Sequence, residues 1–236
     1  MKIAIVSDIH ANLEALESFS ETCDELWVLG DLVNYGPSPR EAIQMISERA
    51  SVVIRGNHDN FMGCGEDPRC SLRYREMARA MGEFTAGILS ESEKQYLVGL
   101  PLMASREVDG KRFVLCHATP ADPLFEYCGP DSPEWIGHAE SVSADILLVG
   151  HTHLPFARAF VREGRGRTIV NPGSLGQPKT GSPDACYAIW DGAKIELKTY
   201  SYSYEKTIAK LSALDLPSGV LSDLAAVLRT GGRLNH

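Results

Sequence analysis

Six apolar runs of strand length punctuate this chain: KIAIVSD (2–8), ELWVLGD (25–31), SVVIRG (51–56), KRFVLCH (111–117), ADILLVGH (144–151) and RTIVNPG (167–173). Short, nearly continuous apolar runs bounded by turn residues read as strands buried on both faces, the environment of a sheet covered by helices. Helical patterns separate the early ones. LEALESF follows Asn12, a candidate N-cap, and PREAIQMISERA spaces its apolar residues at helical intervals after Ser38. The alternation predicts βαβ units and an α/β fold.

The second half changes character. YAIWDG and AKIELKTYSY flank an Asp-Gly turn, which predicts an antiparallel hairpin and therefore a mixed sheet, and residues 204–230 return to helical periodicity. No repeat, low-complexity tract or linker divides the chain, so residues 1–236 are expected to form one domain. MKIAIVSDIH lacks the core and cleavage site of a signal peptide, and no apolar run approaches a membrane span. The six cysteines show no CxxC spacing, and Cys64 and Cys70, within reach across a loop, are expected to stay unpaired; a reducing cytoplasm fits. A net charge of −8 argues against a long nucleic-acid duplex as ligand, and the basic run REGRGR (162–167) reads as a solvated hairpin turn.

The strands end alike. Each of the first five apolar runs gives out onto metal-ligand types: Asp8-Ile9-His10, Gly30-Asp31, Asn57-His58, His117, and Gly150-His151-Thr152-His153. Carboxyl ends of strands in α/β sheets are where ligands bind, so these groups should converge in space. Turns alone would need only Ser, Asn and Gly, and converging carboxylates would repel without a cation. A donor set of His, Asp and Asn without Cys suits Mn²⁺ foremost, with Fe, Zn or Ni as alternatives, and seven donors suffice for two ions.

In this order DxH, GD, GNHD, a strand-end His and GHTH resemble the calcineurin-like metallophosphoesterase superfamily, and NPGS at 171–174 resembles its small bacterial phosphodiesterase-like branch. The resemblance implies a four-layer α-β-β-α sandwich of two mixed sheets flanked by helices. It implies Asp8, His10, Asp31 and His153 on one metal, and Asp31, Asn57, His117 and His151 on the other, with Asp31 bridging. A metal-bridging hydroxide would attack a phosphodiester or small phosphate ester in line, and His58 would assist the leaving group.

Two departures fall in Gly30-Asp31-Leu32-Val33-Asn34-Tyr35-Gly36. The protein-phosphatase branch has GDxxDRG there, so Asn34 stands for an Asp that orients the catalytic His and Tyr35 for an Arg that clamps phosphate. Asn34 and Tyr35 are the expected substrate-side residues, and phosphodiesterase action is expected over protein phosphatase action. Aromatic residues of 60–90 and 119–136, namely Phe61, Tyr74, Phe84, Phe125, Tyr127 and Trp135, are expected either to rim the site or to close small clusters under loops. The alternative to an enzyme is a catalytically inactive metal-binding scaffold that recruits protein partners. An intact His58 beside an intact ligand set argues against it. A homo-oligomer is left open.

Overall fold

The computed structural model describes residues 1–162 and 164–232. In the first sheet β1 (Ile3–Val6), β2 (Glu25–Val28) and β3 (Val52–Val53) run parallel, while the hairpin of β9 (Ala185–Trp190) and β10 (Ile195–Tyr200) joins β1 antiparallel, giving the order β10-β9-β1-β2-β3. The second sheet, β4-β5-β6-β8-β7, has a parallel centre of β5 (Lys111–Cys116), β6 (Ile146–Leu148) and β8 (Arg165–Asn171). Its antiparallel edges are β4 (Met103–Val108) and β7 (Phe156–Arg162). Both mixed sheets of the expected α-β-β-α sandwich are present, and the predicted hairpin belongs to the first. The turn expected within 162–167 includes Glu163, which lies outside the described residues; β7 and β8 pair antiparallel.

Side-chain alternation explains the stacking. Ile3, Ile5, Trp27 and Leu29 point to one face and meet Phe113, Leu115, Ile146 and Leu148 of the other sheet, whereas Ala4, Val6, Leu26 and Val28 point the opposite way toward helices. Trp27 and Trp190 each meet Phe113 edge-on with centroids 5.3 Å apart, filling the space between sheets. Helices α1 (Leu13–Ser18), α2 (Pro39–Arg49), α3 (Asn57–Cys64) and α5 (Glu91–Gly99) cover the outer face of the first sheet. Trp135 and Ala139 of α6 (Glu134–Ser141) cover that of the second. A separate cluster joins α4 (Leu72–Ile88) to α7 (Tyr204–Ser212) and α8 (Ser218–Thr230).

Asn12 caps α1 as expected, its Oδ1 accepting from the Ala15 amide at 3.2 Å, whereas Ser38 makes no side-chain cap and Pro39 starts α2 by its fixed φ. The span 57–99, without a predicted element, holds three helices. The aromatic residues of 60–90 and 119–136 divide between the two expectations: Phe61, Phe84 and Trp135 pack into hydrophobic clusters, Tyr127 lines the cavity at the strand ends, Tyr74 does both, and Phe125 lies under the Arg69 guanidinium. All six cysteines are free. No helix among the described residues is long and apolar enough to cross a membrane.

Candidate active site

Parallel pairing of β1, β2 and β3, and of β5 and β6, sends their carboxyl ends to one edge of the stacked sheets. The residues just past those ends form two groups, Asp8 with His10 and His153, and Asp31 with His117 and His151, each with ligand atoms within 4.8 Å of one another. All six are buried. Asp8, His10, Asp31, His151 and His153 hold φ of 54°, 47°, 56°, 65° and 61°. Left-handed backbone at non-glycine residues costs on the order of 1–3 kcal/mol each and gathers at functional sites.

Backbone carbonyls fix the ring protons. His10 Nδ1–H donates to Val33 O at 3.1 Å and His153 Nδ1–H to Gln177 O at 2.7 Å, so their Nε2 lone pairs face each other at 3.2 Å. Burial pushes the His10 pKa down to about 3 and His153 well below the ordinary value, so no proton sits between them. Asp8 Oδ1, 3.3 Å from His153 Nε2, has no hydrogen-bond partner. Acceptors converging without a donor fit a cation.

In the second group His117 Nδ1–H donates to Leu29 O at 2.7 Å, aiming Nε2 at Asp31 Oδ2 (3.2 Å) and Asn57 Oδ1 (3.0 Å). Asn57 is oriented by its Nδ2 donating to Pro68 O at 2.7 Å, which turns Oδ1 toward His117 and toward His151 Nδ1 at 3.1 Å. Burial opposes charge on His117, but the Asp31 carboxylate outweighs it and pushes the pKa up to about 9. A positive charge is therefore called for here as well, from a proton or a metal.

Asp31 ties the groups together. Its Oδ2 lies 3.7 Å from His10 Nε2 and 3.2 Å from His117 Nε2, while Oδ1 accepts the His58 amide at 2.9 Å. That fit depends on two glycines: a Cβ on Gly56 would sit 2.1 Å from Asp31 Oδ1, and one on Gly30, at φ 89°, 2.5 Å from the Gly56 nitrogen.

His58 stands beside the groups in the first turn of α3. Asn34 accepts the Tyr35 amide at 2.8 Å through Oδ1 and donates Nδ2 to Ala78 O at 3.2 Å, which leaves an Nδ2–H for His58 Nδ1 at 2.8 Å. His58 Nδ1 is then the acceptor and Nε2 carries the hydrogen, directed at Cys70 Sγ at 3.4 Å. Burial opposes a charge on the ring, while the Cys70 sulfur and the Asp31 carboxylate draw its pKa above the ordinary histidine value.

Comparison with known proteins decides the family: the model of the calcineurin-like phosphoesterase superfamily domain matches residues 1–194. The chain belongs to the calcineurin-like phosphoesterase superfamily. It is 30% identical over 210 residues to the Escherichia coli phosphodiesterase YfcE, covering 81% of this chain and 88% of the relative. An uncharacterized protein of Methanocaldococcus jannaschii is 31% identical over 235 residues, covering 91% of this chain and 93% of that one. The crystal structure of a metallophosphoesterase from Sphaerobacter thermophilus superposes with a TM-score of 0.80 at 32% identity, covering 96% of this chain and 99% of that one. Helices α7 and α8 lie past the matched stretch, and α7 packs on α1 and α8 on α4.

Within this phosphoesterase the structure brings Asp8, His10, Asp31, Asn57, His58, His117, His151 and His153 to one place. Asn34 and Tyr35 reach it differently from the expectation. Asn34 is fully buried with its amide spent on protein partners, so it serves His58 and is not open to substrate. Tyr35 lines the cavity, but its hydroxyl donates to Cys70 Sγ at 3.3 Å and its ring stands edge-on to His10.

Asp59 and Cys70 went unread in the sequence as members of the site. Asp59 accepts the amides of Asp31 (2.8 Å), Leu32 (2.8 Å) and Gly56 (3.0 Å), clamping the β2 end against α3; its spacing of three from Gly56, the N-cap position, is a legible capping signal. Cys70 arrives from the α3–α4 loop and carries no local signal. Tyr127, one of the expected rim aromatics, stacks on His151 with centroids 4.0 Å apart.

Proposed function

We propose that this phosphoesterase is a dinuclear, metal-dependent hydrolase of a phosphodiester or small phosphate ester. The observation that carries the reading is Asp31 Oδ2 lying between His10 of one donor group and His117 of the other, with His58 on the adjoining turn. Asp8, His10, Asp31 and His153 would hold one divalent ion and Asp31, Asn57, His117 and His151 the second; the donor set favours Mn²⁺. When bound, the ions supply Lewis-acid charge to the phosphoryl group and lower the pKa of the attacking water.

The chain's own residues do the rest. Asp31 is held by the His58 amide, which ties the carboxylate at the β2 end to the first turn of α3 that carries the His58 ring. The Nε2–H of His58 meets Cys70 Sγ at 3.4 Å on the cavity wall, and a bound leaving oxygen would take the sulfur's place as its acceptor. Tyr35, Tyr74 and Tyr127 wall the cavity and limit water, and their rings suit the organic arm of a diester. The name of the Escherichia coli relative supports a diester over a phosphoprotein. Six free cysteines fit a reducing compartment, and we place the activity in the cytoplasm.

The test is metal analysis joined to a substrate panel. Protein loaded with Mn²⁺ is expected to turn over bis-p-nitrophenyl phosphate faster than p-nitrophenyl phosphate and to leave a phosphoserine peptide nearly untouched. Preference for the phosphopeptide, or no ester hydrolysis with metals bound, would overturn it.

A further inference from the structure

Lys179 is the one lysine or arginine among the described residues lining the cavity over the two donor groups, where it faces Asp31, His58, His151 and His153. The segment that carries it is fixed to the metal side of the site. Leu175 and Gly176 donate their amides to the carbonyls of Ser7 (2.9 Å) and Asp8 (3.0 Å), the Ser174 hydroxyl donates to Asp8 O at 2.8 Å, and Gln177 O holds His153. Pro178 then leads directly to Lys179.

Its ammonium has an unusual environment. It lies over the Tyr74 ring at 4.5 Å from the centroid, and no carboxylate among the described residues forms an ion pair with it. Burial pushes its pKa down to about 8, against the attraction of Asp8 and Asp31. Once two divalent ions occupy the donor groups, the two carboxylates are more than neutralised and that attraction is gone. The half-buried ammonium then faces further positive charge across a narrow cavity, an arrangement that suits an anion held between them.

We propose that Lys179 is the phosphate-anchoring residue of this site, its ammonium holding a non-bridging phosphoryl oxygen on the side opposite the donor groups. This rests on the phosphoesterase reading above and adds the recognition element that reading lacks, since Tyr35 is neutral and its hydroxyl is engaged with Cys70. Tyr74, by stacking beneath the ammonium, keeps the long side chain extended into the cavity. Because the contact is to the phosphoryl group common to ground and transition states, its loss should appear mainly in KM.

Inorganic phosphate is the probe, titrated calorimetrically into Mn²⁺-loaded protein, with metal content and melting temperature measured alongside. Lys179→Met is expected to keep its metals and melting temperature and to bind phosphate about 10- to 100-fold more weakly, the scale of one charge-assisted hydrogen bond. Lys179→Arg is expected to stay within a few-fold of the natural chain. Unchanged phosphate affinity in Lys179→Met would overturn the assignment, as would loss of metal from that variant, which would make Lys179 a support of the donor groups. If the natural chain hydrolyses esters while the variant binds phosphate normally, only the role of Lys179 falls; if the natural chain neither binds phosphate nor hydrolyses any ester, the phosphoesterase reading falls with it.

Discussion

Asn34 donates an Nδ2–H to Nδ1 of His58 at 2.8 Å, so the residue behind the candidate leaving-group histidine is a hydrogen-bond donor, not an acceptor. A carboxylate in that place would accept from Nδ1–H and favour an imidazolium. The amide does the reverse, because a second proton on the ring would point at an N–H group. The Asn34 amide thus opposes the imidazolium that Cys70 and Asp31 favour, and it fixes Nε2–H as the donor available to a leaving oxygen.

Asn34→Asp should therefore change which esters the enzyme handles. Turnover of esters with poor, alkoxide-like leaving groups is expected to rise about tenfold, a fraction of what general acid catalysis can give, while p-nitrophenyl esters stay nearly unaffected. A leaving-group series measures it. Equal changes across the series would mean that Asn34 acts on folding and not on the ring.

Removing the ring separates chemistry from metal binding. His58→Ala should retain its metals by elemental analysis while kcat falls by about two to four orders of magnitude, with the smallest loss for p-nitrophenolate. A variant that loses metal would place His58 among the ligands.

Asp31→Asn tests the shared carboxylate. The variant keeps an oxygen for the His58 amide but loses the charge between His10 and His117. Metal content should fall at both groups together, because one side chain serves each. Full occupancy of both would contradict the bridge.

The histidine pKa shifts give a pH test with a definite sign. In metal-free protein His117 titrates near 9, raised against burial by Asp31, so below that pH a metal must displace its proton. Apparent Mn²⁺ affinity at the second group should climb about tenfold per pH unit from about 6.5 to 9 and level off above. Calorimetry in buffers of different ionisation enthalpy should show about one proton released at pH 7. A pH-independent affinity would show that no such proton exists.

Much of this site was legible because its geometry is a consequence of sheet topology. Asp8, Asp31, Asn57, His117 and His151 each follow an apolar strand, and parallel strands bring their carboxyl ends together whatever the distance in sequence. The hairpin of β9 and β10 was equally plain from its Asp-Gly turn. Residues on returning loops were not. Lys179 and Cys70 enter the cavity because segments after NPGS and after α3 fold back, and no local pattern encodes that return. Helix α3 was hidden for another reason: Asn57-His58-Asp59-Asn60 are poor helix formers, and tertiary bonds from Asp59 and Asp31 hold the first turn in place.

Hydrolysis by two metal ions sharing Asp31 is tested most directly by a Mn²⁺ titration of metal-stripped protein with hydrolysis of bis-p-nitrophenyl phosphate as the readout. The rate should be negligible in chelator, rise steeply with added metal and saturate at about two equivalents per chain. Full activity in the stripped protein, or saturation at one equivalent, would contradict it.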